Sequence, residues 1–198
     1  MDDMMNKIKI IVVGNSCTGK TSLLERYVNN TFTTKESTIG GAYKKKRIVH
    51  NGIDIVLNLW DTAGQEKYRS IVRIYYRGTM GCLLVFDITN RQSFDDAKKW
   101  ITEIRNHTGE STGVVLVGNK ADLDEMRKVS VEEATKYAES ENIIYYETSA
   151  KTNDGVNGVF EYIVSSIYNR IEQGAMTPHI RPTIKCDTGY WNLWGYCW

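Results

Sequence analysis

A chain of 198 residues is long enough for one domain with a buried core and too short for two of comfortable size. It is 41% hydrophobic and 25% charged, with a formal net charge of +1, which gives no electrostatic reason to expect nucleic acid or strongly acidic partners. The cysteines Cys17, Cys82, Cys186 and Cys197 are scattered without metal-ligand spacing, which points to reduced thiols rather than a disulfide framework.

The opening MDDMMNKIK lacks the apolar stretch of a secretory signal. No apolar run approaches the roughly 18 residues of a membrane span. A cytoplasmic chain, or one peripheral on the cytosolic face of endomembranes, is expected. IKIIVVG (Ile8–Gly14) is a short apolar run closed by glycine, as for a strand buried on both faces, and LLERYVNN follows as a helix. AYKKKRIVH and IDIVLNLW flank Asn51-Gly52, a strong hairpin signal, and Ile53, Ile55, Leu57 and Leu59 alternate onto one face. GCLLVFDIT, GVVLVGNK and IIYYETSA are further buried-strand candidates, each preceded by a helical segment, and Ser130 with Glu133 forms a capping box. Val156, Val159, Phe160, Ile163, Ile167 and Ile171 keep helical spacing through a last helix. This alternation predicts an α/β fold: a mainly parallel sheet covered by helices on both faces, with one antiparallel edge strand from the hairpin. Residues 1–172 form the domain. Periodicity stops at Gln173-Gly174, and Pro178 and Pro182 break any continuation, leaving 173–198 as an aromatic-rich tail.

GNSCTGKT (Gly14–Thr21) fits the phosphate-loop pattern G-x-x-x-x-G-K-[ST] and lies between a buried strand and a helix, where that pattern must lie. Backbone N–H groups of Gly14, Asn15, Ser16, Cys17, Thr18 and Gly19 can curl around phosphate oxygens, and the helix start adds partial positive charge. Lys20 can reach the terminal phosphates, the Thr21 hydroxyl can ligate Mg²⁺, and Ser22 completes the set. WDTAGQE (Trp60–Glu66) follows the second hairpin strand. There Asp61 can hold the metal, Gly64 can offer its N–H to a γ-phosphate, and Gln65 can orient an attacking water without deprotonating it. NKAD (Asn119–Asp122), with Leu123 beside it, selects the base. The Asp122 carboxylate can accept from the N1–H and 2-amino groups of guanine, whereas adenine would leave it buried and unpaired. Lys120 can lay its stem along the base. In ETSAK (Glu147–Lys151), Ser149 and the Ala150 N–H can meet the base edge and Lys151 can cover it.

Taken in order, these motifs make the chain resemble a Ras-superfamily small GTPase, most like a Rab, over about residues 7–172. WDTAGQE, YYRG (Tyr75–Gly78), LVFDIT (Leu84–Thr89), GNKADL and ETSAK carry the resemblance. It implies a six-stranded sheet, binding of GTP and GDP with Mg²⁺, slow GTP hydrolysis, and a switch in vesicle traffic served by effector, exchange-factor and GAP proteins. It also implies that Phe32 packs on the guanine edge and that Thr38 ligates Mg²⁺ and contacts the γ-phosphate. Tyr43, Trp60 and Tyr75 fall where Rabs keep an aromatic triad that reports the nucleotide state, with plain core packing as the competing reading.

Three features depart from the Rab pattern. The segment from Phe32 to Thr38 is one residue short and lacks its usual tyrosine. Gly41–Tyr43 replaces an apolar–acidic–aromatic triplet, and Lys44–Arg47 follows it as a charged edge that would discourage sheet-to-sheet pairing. Cys197 is followed by a single tryptophan, which fits no standard prenylation signal. The short first switch leaves a weakly cycling, GTPase-like binding module as the rival function. A nucleotide kinase fits the phosphate loop but leaves NKAD and ETSAK without purpose. His50, His107 and His179 are expected at the surface. The cluster Tyr190, Trp191, Leu193, Trp194, Tyr196 and Trp198 is expected to dock on protein rather than insert in a membrane, with no lipid attached.

Overall fold

Four apolar residues in a row, Ile10 to Val13, with Ile8 before them across Lys9, need partners on two sides, and the fold supplies both. The computed structural model describes residues 6–32, 41–62, 75–109 and 112–174, together with the backbone of 184–186 and 189–191. Strand β1 (Asn6–Val13) lies inside a six-stranded sheet with β2 (Ala42–His50), β3 (Ile53–Asp61), β4 (Gly81–Asp87), β5 (Gly113–Asn119) and β6 (Ile144–Thr148). The order is β2-β3-β1-β4-β5-β6, parallel throughout except for the antiparallel β2 at the edge. The expected α/β architecture and its hairpin edge are both present.

Alternate residues of each inner strand feed opposite cores, as a pleat requires. Ile8, Ile10 and Val12 face one core with Leu57, Leu83, Val85 and Val117; Ile11 and Val13 face the other with Cys82, Leu84, Phe86 and Leu116. The first core is closed by helix α1 (Lys20–Asn29) and helix α4 (Val156–Glu172), which bring Leu23, Leu24 and Tyr27 against Val159, Phe160, Ile163 and Ile167. Tyr27 stacks on Phe160 with ring centroids 3.7 Å apart. The second is closed by α2 (Arg91–Thr108) and α3 (Val131–Ser140) through Phe94, Ala97, Trp100, Ile104, Ala134 and Ala138. The Ser130 hydroxyl accepts from the Glu133 N–H and starts α3 as the capping box predicts.

Two expectations need adjustment. Ile55, Leu57 and Leu59 are buried together, but Ile53 is 40% exposed because it directly follows the Asn51-Gly52 turn, beyond the reach of the helices. The tail also contains a short antiparallel ribbon, β7 (Ile184–Cys186) with β8 (Gly189–Trp191). Cys17 and Cys82 are free thiols. Among the described residues no helix is long and apolar enough to cross a membrane. His107 is exposed and stacks on Tyr76, whereas His50 is half-buried against Tyr168; His179 lies outside the described residues.

Candidate functional site

The candidate residues gather at the C-terminal ends of β1, β3, β5 and β6, the side on which open α/β sheets bind ligands. Between β1 and α1 the chain turns through positive φ at Gly14 (134°), Cys17 (62°) and Gly19 (88°), the curl that turns successive N–H groups inward. No side chain caps the start of α1, so its first N–H groups are left for an anion. The Asn15 carbonyl organises the loop by accepting from Thr18 Oγ1 at 3.0 Å and from Lys20 Nζ at 2.6 Å. Lys20 is only 5% exposed. Burial pushes its ammonium down to about 8, against the opposing pull of Asp61 and Cys17. A charge so poorly solvated gains from a polyanion beside it. The Asn15 side chain is tied to α2: its Nδ2 donates to Asp96 Oδ2 at 2.8 Å, and Trp100 Nε1 donates to its Oδ1 at 2.9 Å.

Asp61 closes β3 beside this loop and is fully buried. Its Oδ2 accepts from Thr21 Oγ1 at 2.6 Å, while Oδ1 has no hydrogen-bond partner among the described residues. Burial raises its pKa, opposed by the Thr21 hydrogen bond and then by Lys20 and Lys44. An orphaned carboxylate oxygen next to a hydroxyl, at the mouth of a phosphate loop, is an all-oxygen set suited to a hard divalent cation. Thr38, Gly64 and Gln65 lie outside the described residues.

The residues expected to select the base form a connected frame. Asn119 is buried; its Nδ2 donates to the Thr18 carbonyl at 2.8 Å and its Oδ1 accepts from Thr148 Oγ1 at 3.2 Å, so one amide links both loops to the phosphate loop. Asp122 Oδ1 accepts from Ser149 Oγ at 2.6 Å, and Lys151 Nζ stands 3.7 Å from Oδ2. Carboxylate oxygens have two acceptor sites each, so capacity for a ligand remains. Lys120 takes a positive φ of 67° and pairs with Asp87 Oδ2 at 2.6 Å, which holds its stem at the strand ends. Leu123 follows within the 3-10 turn, at non-helical φ and ψ.

Several supporting residues carried no signal in the sequence. Arg127 donates two hydrogen bonds to Glu147, at 2.6 and 3.0 Å, and so ties the loop after Asp122 to β6. Arg26 reaches from α1 to the carbonyls of Ala150 (Nε, 2.8 Å) and Lys151 (Nη2, 3.0 Å). In sequence it reads as a solvent-facing helix cation. Its removal frees the loop that presents the Ala150 N–H. Because hydrogen bonds from charged donors contribute about 1.5–3 kcal/mol each and part of that returns as solvation, Arg26→Ala should speed nucleotide release roughly tenfold. Displacement of a fluorescent GDP checks it, and an unchanged rate would remove Arg26 from the site.

The sequence profile described as the Ras family matches residues 9–169. The chain belongs to the Ras family. It is 43% identical to the Ras-related protein Rab-3 of Caenorhabditis elegans over 166 residues, 83% of this chain and 76% of that protein. It is 40% identical to the Ras-related protein RABA4d of Arabidopsis thaliana over 170 residues, 85% and 77% of the two chains. With the Ras-related protein Rab-3C of Bos taurus the identity is 41% over 181 residues, 91% and 80% of the two chains. The protein is a Rab-like small GTPase, a guanine-nucleotide switch and GTP hydrolase.

Within this Ras-family chain the aromatic residues form a continuous ridge. Tyr43 and Trp60 lie 5.0 Å apart and Trp60 and Tyr75 5.3 Å apart, ring to ring. Trp60 and Tyr75 pack on the second core, while Tyr43 is 50% exposed, so the ridge is supported beneath and open above. Gly41 is explained by the same ridge: a Cβ there would lie 2.5 Å from Tyr75 Oη. The charged run is not uniformly solvated. Lys44 pairs with Glu25 of α1 at 2.9 Å, and Lys46 donates to the Tyr27 carbonyl with its ammonium over the Tyr27 ring. Phe32 is 37% exposed just beyond α1, and Ser22 is half-buried within it.

Proposed function

We propose that the chain cycles between GTP- and GDP-bound shapes as a Rab-type switch in vesicle traffic, peripheral on the cytosolic face of endomembranes. The observation that supports this best is the Asn119 amide, which joins the phosphate loop to both base loops and makes one continuous cradle for a guanine nucleotide. Gly14 to Ser22 surround the phosphates, with Lys20 on the terminal ones; Asp122, Ser149, Ala150 and Lys151 read the base, flanked by Lys120, Leu123 and Phe32. Thr21 and Asp61, with Thr38, would hold Mg²⁺, which when bound neutralises charge on the phosphates. Gln65 orients the water and Gly64 donates to the γ-phosphate. Release of Thr38 and Gly64 after hydrolysis lets both loops relax, which is how effectors, an exchange factor and a GAP would distinguish the two states. In this reading the aromatic tail serves protein contact.

Single-turnover hydrolysis of bound GTP tests it. The wild type should turn over on the order of 10⁻⁴ to 10⁻² s⁻¹ unaided, and Gln65→Leu should keep GTP affinity while slowing hydrolysis at least about tenfold, because leucine keeps bulk but cannot orient water. Equal rates would reject the role of Gln65 and favour a weakly cycling binding module. Tight binding of ATP would reject the base assignment.

A further inference from the structure

The phosphate loop is not held by regular structure. It turns through positive φ at Gly14, Cys17 and Gly19, and Cys17 carries a side chain at φ of 62°, where an L-residue is strained. Such a conformation persists only when the surroundings hold it. From β5, Asn119 Nδ2 donates to the Thr18 carbonyl at 2.8 Å. A further tie runs through the Asn15 side chain to α2. Asp96 and Trp100 stand about one turn apart on that helix and so share a face. Asn15 Nδ2 donates to Asp96 Oδ2 at 2.8 Å, and Asn15 Oδ1 accepts from Trp100 Nε1 at 2.9 Å. A carboxylate only accepts and an indole N–H only donates, so a single orientation of the amide satisfies both. The other Asp96 oxygen, Oδ1, accepts from Lys99 Nζ at 2.7 Å. That bond holds the Asp96 carboxyl below its usual range, against burial and with Asn15 and Gln92 assisting. With its side chain locked in this way, Asn15 presents its backbone carbonyl to Thr18 Oγ1 and Lys20 Nζ.

We propose that Asp96 is a positioning residue for nucleotide binding. With Trp100 steering the amide, it locks Asn15, and through the Asn15 carbonyl it sets where Lys20 meets the phosphates. This role rests on the guanine-nucleotide reading of the site and adds to it a residue of α2 that lies outside every nucleotide motif. Plain packing of the helix is the poorer account of this carboxylate. Phe94, Ala97, Trp100, Ile101 and Ile104 already hold α2 in the second core, and Asp96 is not among them. Loss of the carboxylate leaves Asn15 Nδ2 without its acceptor and lets the loop shift, while the core keeps every apolar contact.

The test exchanges the two side chains. Asn15→Asp sets carboxylate against carboxylate and should speed GDP release by roughly 10²-fold, the effect of an opposed like-charge pair. Asn15→Asp/Asp96→Asn restores a donor between them, now on the helix. The amide oxygen at position 96 faces Lys99, its NH₂ faces the new carboxylate, and Trp100 still finds an acceptor. At least roughly tenfold of the loss should return. Asp96→Ala should speed release roughly tenfold, and Asp96→Asn less, because its amide oxygen can still accept from Asn15. Displacement of a fluorescent GDP gives each rate, and circular dichroism at saturating GDP shows that each variant is folded. A packing role predicts additive losses, with the double variant releasing GDP faster than Asn15→Asp. That result, or a wild-type rate for Asp96→Ala, would overturn the proposal. Asp96→Ala and Asp96→Asn introduce no new negative charge and decide the question by themselves if Asn15→Asp cannot be loaded. A wild-type chain that takes up no guanine nucleotide would instead refute the switch reading.

Discussion

Asp122→Asn should lower the affinity for GTP by roughly 10⁴-fold and raise that for xanthosine triphosphate, inverting the base preference. The Asp122 carboxylate is an acceptor at both oxygens, and guanine offers two donors, N1–H and the 2-amino group. Asparagine keeps one acceptor and turns the other position into a donor. Against guanine that donor meets the 2-amino group, so two buried N–H groups face each other with no acceptor between them, at about 1–3 kcal/mol apiece beyond the lost charge-assisted bonds. Xanthine presents an oxygen at the same place. The surrounding frame says which way the amide will point. Ser149 Oγ donates to Oδ1 at 2.6 Å, so the oxygen of the new amide is kept there, and its NH₂ takes the Oδ2 position near Lys151 and the base. Competition between GTP and xanthosine triphosphate for the purified variant measures the inversion. A variant that still prefers GTP would show that Asp122 does not read the base.

The sheet was legible because five of its six strands carry continuous or alternating apolar residues bounded by turn signals, and the Asn51-Gly52 hairpin marked the antiparallel edge. The positions of GNSCTGKT, NKAD and ETSAK in the fold were legible because each motif lies at a strand end, where a local pattern fixes the backbone. What could not be read were contacts between segments remote in the chain. Nothing near Arg26 announces that it holds the carbonyls of Ala150 and Lys151, and nothing near Asn15 announces Asp96 and Trp100. The run Lys44–Arg47 reads as one charged block until the pleat divides it into two lysines bound to α1 and two exposed cations. The β7–β8 ribbon was missed for a different reason: strands of three residues are too short to show a period.

Gly14→Ala should reduce nucleotide affinity by at least roughly 10²-fold, the scale expected when a catalytic loop is misplaced by about an ångström. A Cβ built on Gly14 would lie 2.0 Å from the Val85 carbonyl oxygen and 3.1 Å from its carbon, and Gly14 itself has φ of 134°, where an L-residue is strained. Val85 cannot retreat. It lies in β4, paired to β5 at Val117, and β4 is paired to β1 at Val13↔Leu84, so withdrawal would break ladders on both sides. The loop must therefore move, and with it the adjacent Asn15 carbonyl that gathers Thr18 and Lys20. Stability should fall by only about 1–3 kcal/mol, the range of one strained backbone position, because the two cores are untouched. Gly52→Ala is the matched control: its φ is also positive, at 77°, but a Cβ there meets nothing within 4 Å. That variant should lose on the order of 1 kcal/mol of stability and no nucleotide affinity. Calorimetric titration with GDP beside thermal melts of both variants separates the two effects. Equal affinity losses at Gly14 and Gly52 would mean that backbone strain alone, and not the contact with Val85, governs the phosphate loop.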